Sequence, residues 1–132
     1  MATVLWIDDD PLLLGLCVGV LEGHGYRVLT ASDGAAGLTT AKQERPDVIL
    51  LDVLMPTMTG FEVCRQLRLD SHLKNTPIIL LTVLSDPGVA NTGREAGADL
   101  TLTKLAHPET ILTAIAQVLS ERGAPPWIRV VE

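Results

Sequence analysis

Five short apolar runs, at residues 3–7, 26–30, 47–51, 77–82 and 99–103, punctuate the chain, with helix-length segments between them. Runs of this length suit buried strands. The last intervening segment repeats Ile111, Leu112, Ile115, Val118 and Leu119 at spacings of three and four, which gives one apolar stripe. Leu13, Leu16, Cys17, Val20 and Leu21 form the corresponding stripe after the first run. Strands apolar on both faces, alternating with helices, imply a parallel sheet covered on both sides. The expected fold is α/β: a doubly wound (βα)5 unit with a five-stranded parallel sheet in strand order 2-1-3-4-5. At 132 residues the chain fits one domain with a single core. Residues 1–121 form that domain, and 122–132 read as a C-terminal tail or the start of a linker. Trp127 in that tail is a candidate for docking on the domain or pairing with a second chain.

The punctuation between runs supports this division. Asp10-Pro11, Asp86-Pro87 and His107-Pro108-Glu109 each place a capping side chain before a proline at the first helical position. Gly23, Gly25 and Gly97 are placed to end helices. With Asp10 engaged as a cap, Asp8 and Asp9 remain as an acidic pair at the mouth of the first strand. The fourth helical segment, Asp86 to Ala96, carries Pro87, Gly88, Asn91, Thr92 and Gly93. Its summed propensity is poor by a few kcal/mol, making it the least stable helix expected here.

Composition excludes several functions. The net charge is -6, and the ten basic residues are scattered rather than gathered on one face, so direct nucleic-acid binding is not expected. No apolar run approaches the ~20 residues that cross a bilayer, and no export signal opens the chain. The expectation is a soluble, cytoplasmic protein. Cys17 and Cys64 lack the spacing of a zinc site or disulfide framework and read as reduced core residues. His24, His72 and His107 show no ligand spacing and sit beside turn residues, as solvated or capping histidines do.

The chemistry gathers at strand ends. Asp52 closes the run Val48-Ile49-Leu50-Leu51, Asp8 and Asp9 close Val4-Leu5-Trp6-Ile7, Thr82 closes the fourth run, and Lys104 follows the fifth. For strand order 2-1-3-4-5, the carboxyl ends of strands one and three flank the point where the order reverses, where such sheets bind ligands. Three like charges in one place need a hard dication among them, and oxygen donors suit Mg²⁺, with Mn²⁺ the other candidate. An aspartate beside Mg²⁺ can attack a phosphoryl group while a lysine and a hydroxyl balance the equatorial oxygens. Taken singly, Asp52 is a helix cap, Lys104 a solvated strand end and Thr82 a β-former. Their joint placement favours the functional reading.

On these motifs the chain resembles a response regulator receiver domain of two-component signalling, over residues 3 to about 121. The carrying motifs are Ile7-Asp8-Asp9-Asp10-Pro11, Asp52-Val53-Leu54-Met55-Pro56 with Gly60, Pro77-Ile78-Ile79-Leu80-Leu81-Thr82, and Gly97-Ala98-Asp99 leading to Lys104. The resemblance implies that Asp52 accepts phosphate from a histidine kinase or phosphotransfer protein. It also implies that Asp9, Asp52 and the Leu54 backbone carbonyl hold Mg²⁺, and that Asp8 binds the metal's water. Thr82 and Lys104 would contact the phosphoryl group and pass its arrival to the surface of the fourth helix, fifth strand and fifth helix, where an output partner or a second copy would bind.

The chain departs from that pattern in three respects. Thr101 stands where the family usually carries a switching aromatic, and Leu105 where it usually has a proline in a cis peptide. The first departure moves the expected switch to the weak fourth helix. The second predicts either retained strain or a differently aimed Lys104. Val83 replaces a usually small residue beside the phosphoryl path. Leu54 and Leu84 offer no group to orient a hydrolytic water, which implies a long-lived acyl phosphate. The competing function is a receiver that no longer switches and serves as an interaction or dimerisation module. A hydrolase with an aspartyl nucleophile would place an acid two residues after it, where this chain has Leu54.

Overall fold

The computed structural model describes residues 1–84 and 86–123. Strands and helices alternate along it: β1 (Thr3–Ile7), α1 (Pro11–Gly23), β2 (Arg27–Ala31), α2 (Gly34–Glu44), β3 (Val48–Asp52), α3 (Gly60–Leu69), β4 (Ile78–Thr82), α4 (Pro87–Ala96), β5 (Leu100–Thr103) and α5 (Pro108–Gly123). Neighbouring strands pair in parallel, in the order β2-β1-β3-β4-β5. This is the doubly wound (βα)5 sheet expected from the apolar runs, whose ends match the strands to within one residue. Trp127 and the rest of the tail from residue 124 lie outside the described residues.

Side chains of the central strands alternate between two cores, as the strand period requires. Leu5, Ile7, Ile49, Leu51, Ile78 and Leu80 pack with α2 and α3. Val4, Trp6, Leu50, Ile79 and Leu81 pack with α1 and α5. β3 and β4 are buried throughout, whereas the edge strands β2 and β5 are half-exposed, so the apolar surface is greatest where strands have neighbours on both sides.

The expected stripe on α1 is rotated. Leu14 and Leu21 are buried, while Leu16 is 74% exposed and Leu12 80%. Residues 12–14, 16–18 and 20–21 are all apolar, so periodicity alone could not choose a face. Packing of α1 against the sheet and α5 makes that choice. On α5 the stripe holds: Ile111, Ala114, Ile115 and Val118 are buried, with Leu112 and Leu119 at the margin.

The Asp10 and Asp86 caps follow the sequence, while His107 serves through its backbone rather than its side chain. Asp10 Oδ1 accepts from the N–H groups of Leu12 at 3.1 Å and Leu13 at 3.2 Å, and Asp86 Oδ1 accepts from Gly88 N–H at 2.8 Å. Before α5 the His107 carbonyl accepts from the amides of Thr110 and Ile111. Gly97 ends α4 at φ 106°, a left-handed conformation that favours glycine.

A junction not foreseen from the sequence fastens the amino ends of β4 and β5. Arg68, at the end of α3, donates from Nε to Gly97 O at 2.8 Å, and from its terminal nitrogens to Leu73 O, Thr76 O at 2.6 Å and Asp99 Oδ2 at 3.0 Å. Asp99 Oδ2 also accepts from Ile78 N–H at 2.8 Å. One guanidinium thus donates to carbonyls of the α3–β4 loop and of the α4 cap at once, adding to the bond that Leu73 O accepts from Thr76 N–H. Arg68→Met, which keeps the stem but loses the fork, is expected to lower stability by about 2–4 kcal/mol in urea titration.

Candidate functional site

The β1–β3 register pairs Ile7 with Leu51, so the residues that follow, Asp8 and Asp52, emerge side by side at the carboxyl edge of the sheet. This is the reversal point of the strand order. Asp8 is fully buried, Asp52 is 2% exposed, and Asp9 is exposed. One carboxylate oxygen from each of the three lies within 4.8 Å of the others.

Lys104 closes the cluster from β5. Its ammonium lies 2.9 Å from Asp8 Oδ2 and 3.3 Å from Asp52 Oδ2. No cis peptide bond occurs among the described residues, so Lys104 reaches the carboxylates along an all-trans chain. The strained cis bond drawn from Leu105 is thus not found among the described residues, while the ammonium still meets Asp8 and Asp52. Asp52 is not consumed by this pairing, whereas both oxygens of Asp8 are engaged, Oδ1 also accepting from Asp10 N–H at 3.0 Å. Asp52 Oδ1 accepts a long bond, 3.3 Å, from Leu54 N–H, and Asp9 takes no part in the lysine pairing.

Local structure holds these groups in place. The Gly60 amide donates to Val53 O at 2.9 Å, and a Cβ at Gly60 would overlap the Asp52 carbonyl oxygen. Only glycine lets α3 begin this close to the end of β3. Between them Met58 N–H donates to Pro56 O at 2.8 Å around Thr57, whose φ of 74° is unusual for a β-branched residue. Thr82 ends β4 nearly buried, its Oγ1 accepting from Leu84 N–H at 3.0 Å and its carbonyl accepting from Lys104 N–H at 2.9 Å. Thr101 points to the α4 side of β5. A Cβ built on Gly93 would come within 2.9 Å of Thr101 Oγ1, so α4 packs closely on this strand.

Asp8, Asp9, Asp52, Thr82 and Lys104 thus meet at one edge. Leu54 contributes its amide to Asp52, and its side chain is 47% exposed. Comparison with known proteins gives this arrangement a family. Residues 4–116 match the response regulator receiver domain.

The chain belongs to the response regulator receiver domain family.

Among related receivers, protein PilH of Pseudomonas aeruginosa is 38% identical over 120 residues, covering 91% of this chain and 99% of PilH. The DNA-binding response regulator MtrA of Mycolicibacterium smegmatis is 38% identical over 123 residues, but the match spans only 53% of MtrA. The chain therefore spans nearly all of PilH and about half of the DNA-binding regulators it resembles. The structure of Vibrio cholerae chemotaxis protein CheY4 superposes with a TM-score of 0.86 at 41% identity, covering 89% of this chain and 98% of that one. This is thus a receiver domain of two-component signalling with a chemotaxis-regulator-like fold. No described helix is long and apolar enough to cross a membrane.

The electrostatics of the receiver pocket reflect crowding of like charge. Burial, then the charge of Asp8, pushes the Asp52 carboxyl up to about 6, with Lys104 opposing. Burial pulls the Lys104 ammonium down, but its hydrogen bond to Asp8 and the nearby carboxylates outweigh this, and its pKa is raised. Three hard oxygen donors with an excess of negative charge fit a dication such as Mg²⁺, as receiver pockets generally do.

A folded-state value of about 6, above the ordinary 3.8, means the folded protein holds this proton more tightly than the unfolded chain does. Asp52 therefore weakens the metal-free fold as pH rises from about 4 to 6. Asp52→Asn, which mimics the neutral carboxyl, is expected to flatten that decline and add about 1–3 kcal/mol at pH 7.5, measured by thermal unfolding in chelator.

Proposed function

We propose that this receiver is a phosphorylation-dependent switch. In this reading an Asp52 oxygen forms a bond to phosphorus as the phosphorus–nitrogen bond of a donor phosphohistidine breaks, and the imidazole nitrogen leaves with the electron pair. The donor is a sensor histidine kinase or phosphotransfer protein. The observation that carries the reading is the convergence of Asp8, Asp52 and Lys104 within 3.3 Å contacts at the switch point, with Asp9 beside them.

Asp9, Asp52 and the Leu54 carbonyl would hold Mg²⁺, with Asp8 contacting its water, and the ion would supply positive charge to the phosphoryl oxygens. Lys104 supplies a second positive charge from the other side. Thr82 Oγ1 already accepts from Leu84 N–H, which leaves its own hydrogen free to donate to a phosphoryl oxygen. That link joins the pocket to the β4–α4 connection. With Thr101 packed against α4 at Gly93, the output passes through a shift or ordering of α4 and the α4–β5–α5 surface. Residues 1–121 serve as the receiver and the remainder as a tail or linker.

Exposure to acetyl phosphate and Mg²⁺ is expected to add one phosphoryl group by intact mass, and Asp52→Asn to abolish it. A wild-type chain modified neither by acetyl phosphate nor by a cognate kinase would instead support the non-switching docking module. Because Leu54 and Leu84 flank the pocket without a polar group, the adduct is expected to persist for minutes or longer; decay within seconds would contradict this. Beryllofluoride is expected to alter amide hydrogen exchange across residues 86–97.

A further inference from the structure

Lys104 carries a charge at the centre of the site, yet the chain around it is a short exposed turn. Leu105 is 83% exposed, so its side chain does little to fix the turn. What fixes it is Thr103. The Leu105 N–H donates to Thr103 Oγ1 at 3.1 Å, and the Ala106 N–H donates to Thr103 O at 3.1 Å. The amide of Lys104 donates to Thr82 O at 2.9 Å. The lysine backbone is thus held from β4 on one side and by two bonds to Thr103 on the other. The hydroxyl bond uses an amide hydrogen that a proline at position 105 would lack.

We propose that Thr103 is the positioning residue for Lys104, its hydroxyl setting the turn that delivers the ammonium between Asp8 and Asp52. The lysine stem is long and flexible, so a small rotation at its base is magnified at the ammonium, which sits within 2.9 Å of Asp8 and 3.3 Å of Asp52. A hydroxyl that closes a turn on the amide two residues on is the local device that limits that rotation. The plainer reading is that Thr103 is a β-branched residue at a strand end. Valine meets that need equally well but cannot accept the hydrogen bond, so the two readings separate experimentally.

The test compares wild type with Thr103→Val, Thr103→Ala and Thr103→Ser. The first readout is the ¹⁵N–¹H resonance of the Lys104 ammonium, visible when its hydrogens are bonded and shielded from water. Wild type and Thr103→Ser are expected to keep it, and Thr103→Val and Thr103→Ala to lose or broaden it with melting temperatures close to wild type. The second readout, which rests on the phosphoacceptor reading, is the rate of modification by acetyl phosphate. It should fall about 3- to 10-fold in the valine and alanine variants at saturating donor, with half-saturation unchanged and serine restoring it. A valine variant that keeps both resonance and rate, or a serine variant as impaired as valine, overturns the proposal. If wild type takes no phosphoryl group, the phosphoacceptor reading fails, and the ammonium resonance still decides the role of Thr103.

Discussion

Two buried carboxylates, Asp8 and Asp52, lie side by side because parallel pairing of β1 and β3 leaves them nowhere else to go. Their mutual repulsion is the constraint around which the upper edge of the molecule is arranged. Lys104 crosses from β5 to bridge them, and its reach depends on β4 standing between, with Thr82 O fixing the lysine amide. One ammonium neutralises one charge. With Asp9 beside them the cluster remains negative, which is why the pocket suits a dication.

The sequence disclosed the fold with little loss because its three inner strands, β1, β3 and β4, are almost wholly apolar. The runs ending at Ile7, Leu51 and Thr82 could be placed to within a residue since burial on both faces leaves no alternation to misread. The same richness obscured α1, where an almost unbroken apolar segment hid which face meets the sheet. Leu14 is buried and Leu16 exposed for reasons that reside in the neighbouring elements.

The candidate site was legible to a similar degree. Asp8, Asp9, Asp52, Thr82 and Lys104 announced themselves by standing at the ends of apolar runs. What stayed hidden were residues whose partners are distant in sequence or whose role lies in the backbone. Arg68 looks like any solvent-facing helix arginine until the fold brings Gly97 and Asp99 to it, 29 and 31 residues on. Thr57 gives no sign of its left-handed conformation, since glycine or asparagine is the usual marker. The absence of proline at residue 105 suggested a misdirected or strained lysine. What stands there instead is a two-residue hydroxyl turn from Thr103, which residue type alone does not announce.

The Arg68 junction has a mechanical consequence. It grips α4 at Gly97, where a Cβ would also strike the arginine stem, whereas the opposite end follows the pocket residue Thr82 by a few residues. In the proposed switch, movement of this helix would therefore be least at its carboxyl end. Ten residues span about 15 Å, so a tilt of about 10° would carry the Asp86 end through about 2.5 Å while leaving the Gly97 end nearly still. Under that proposal a displacement would be largest beside the pocket and fade toward the base of the sheet.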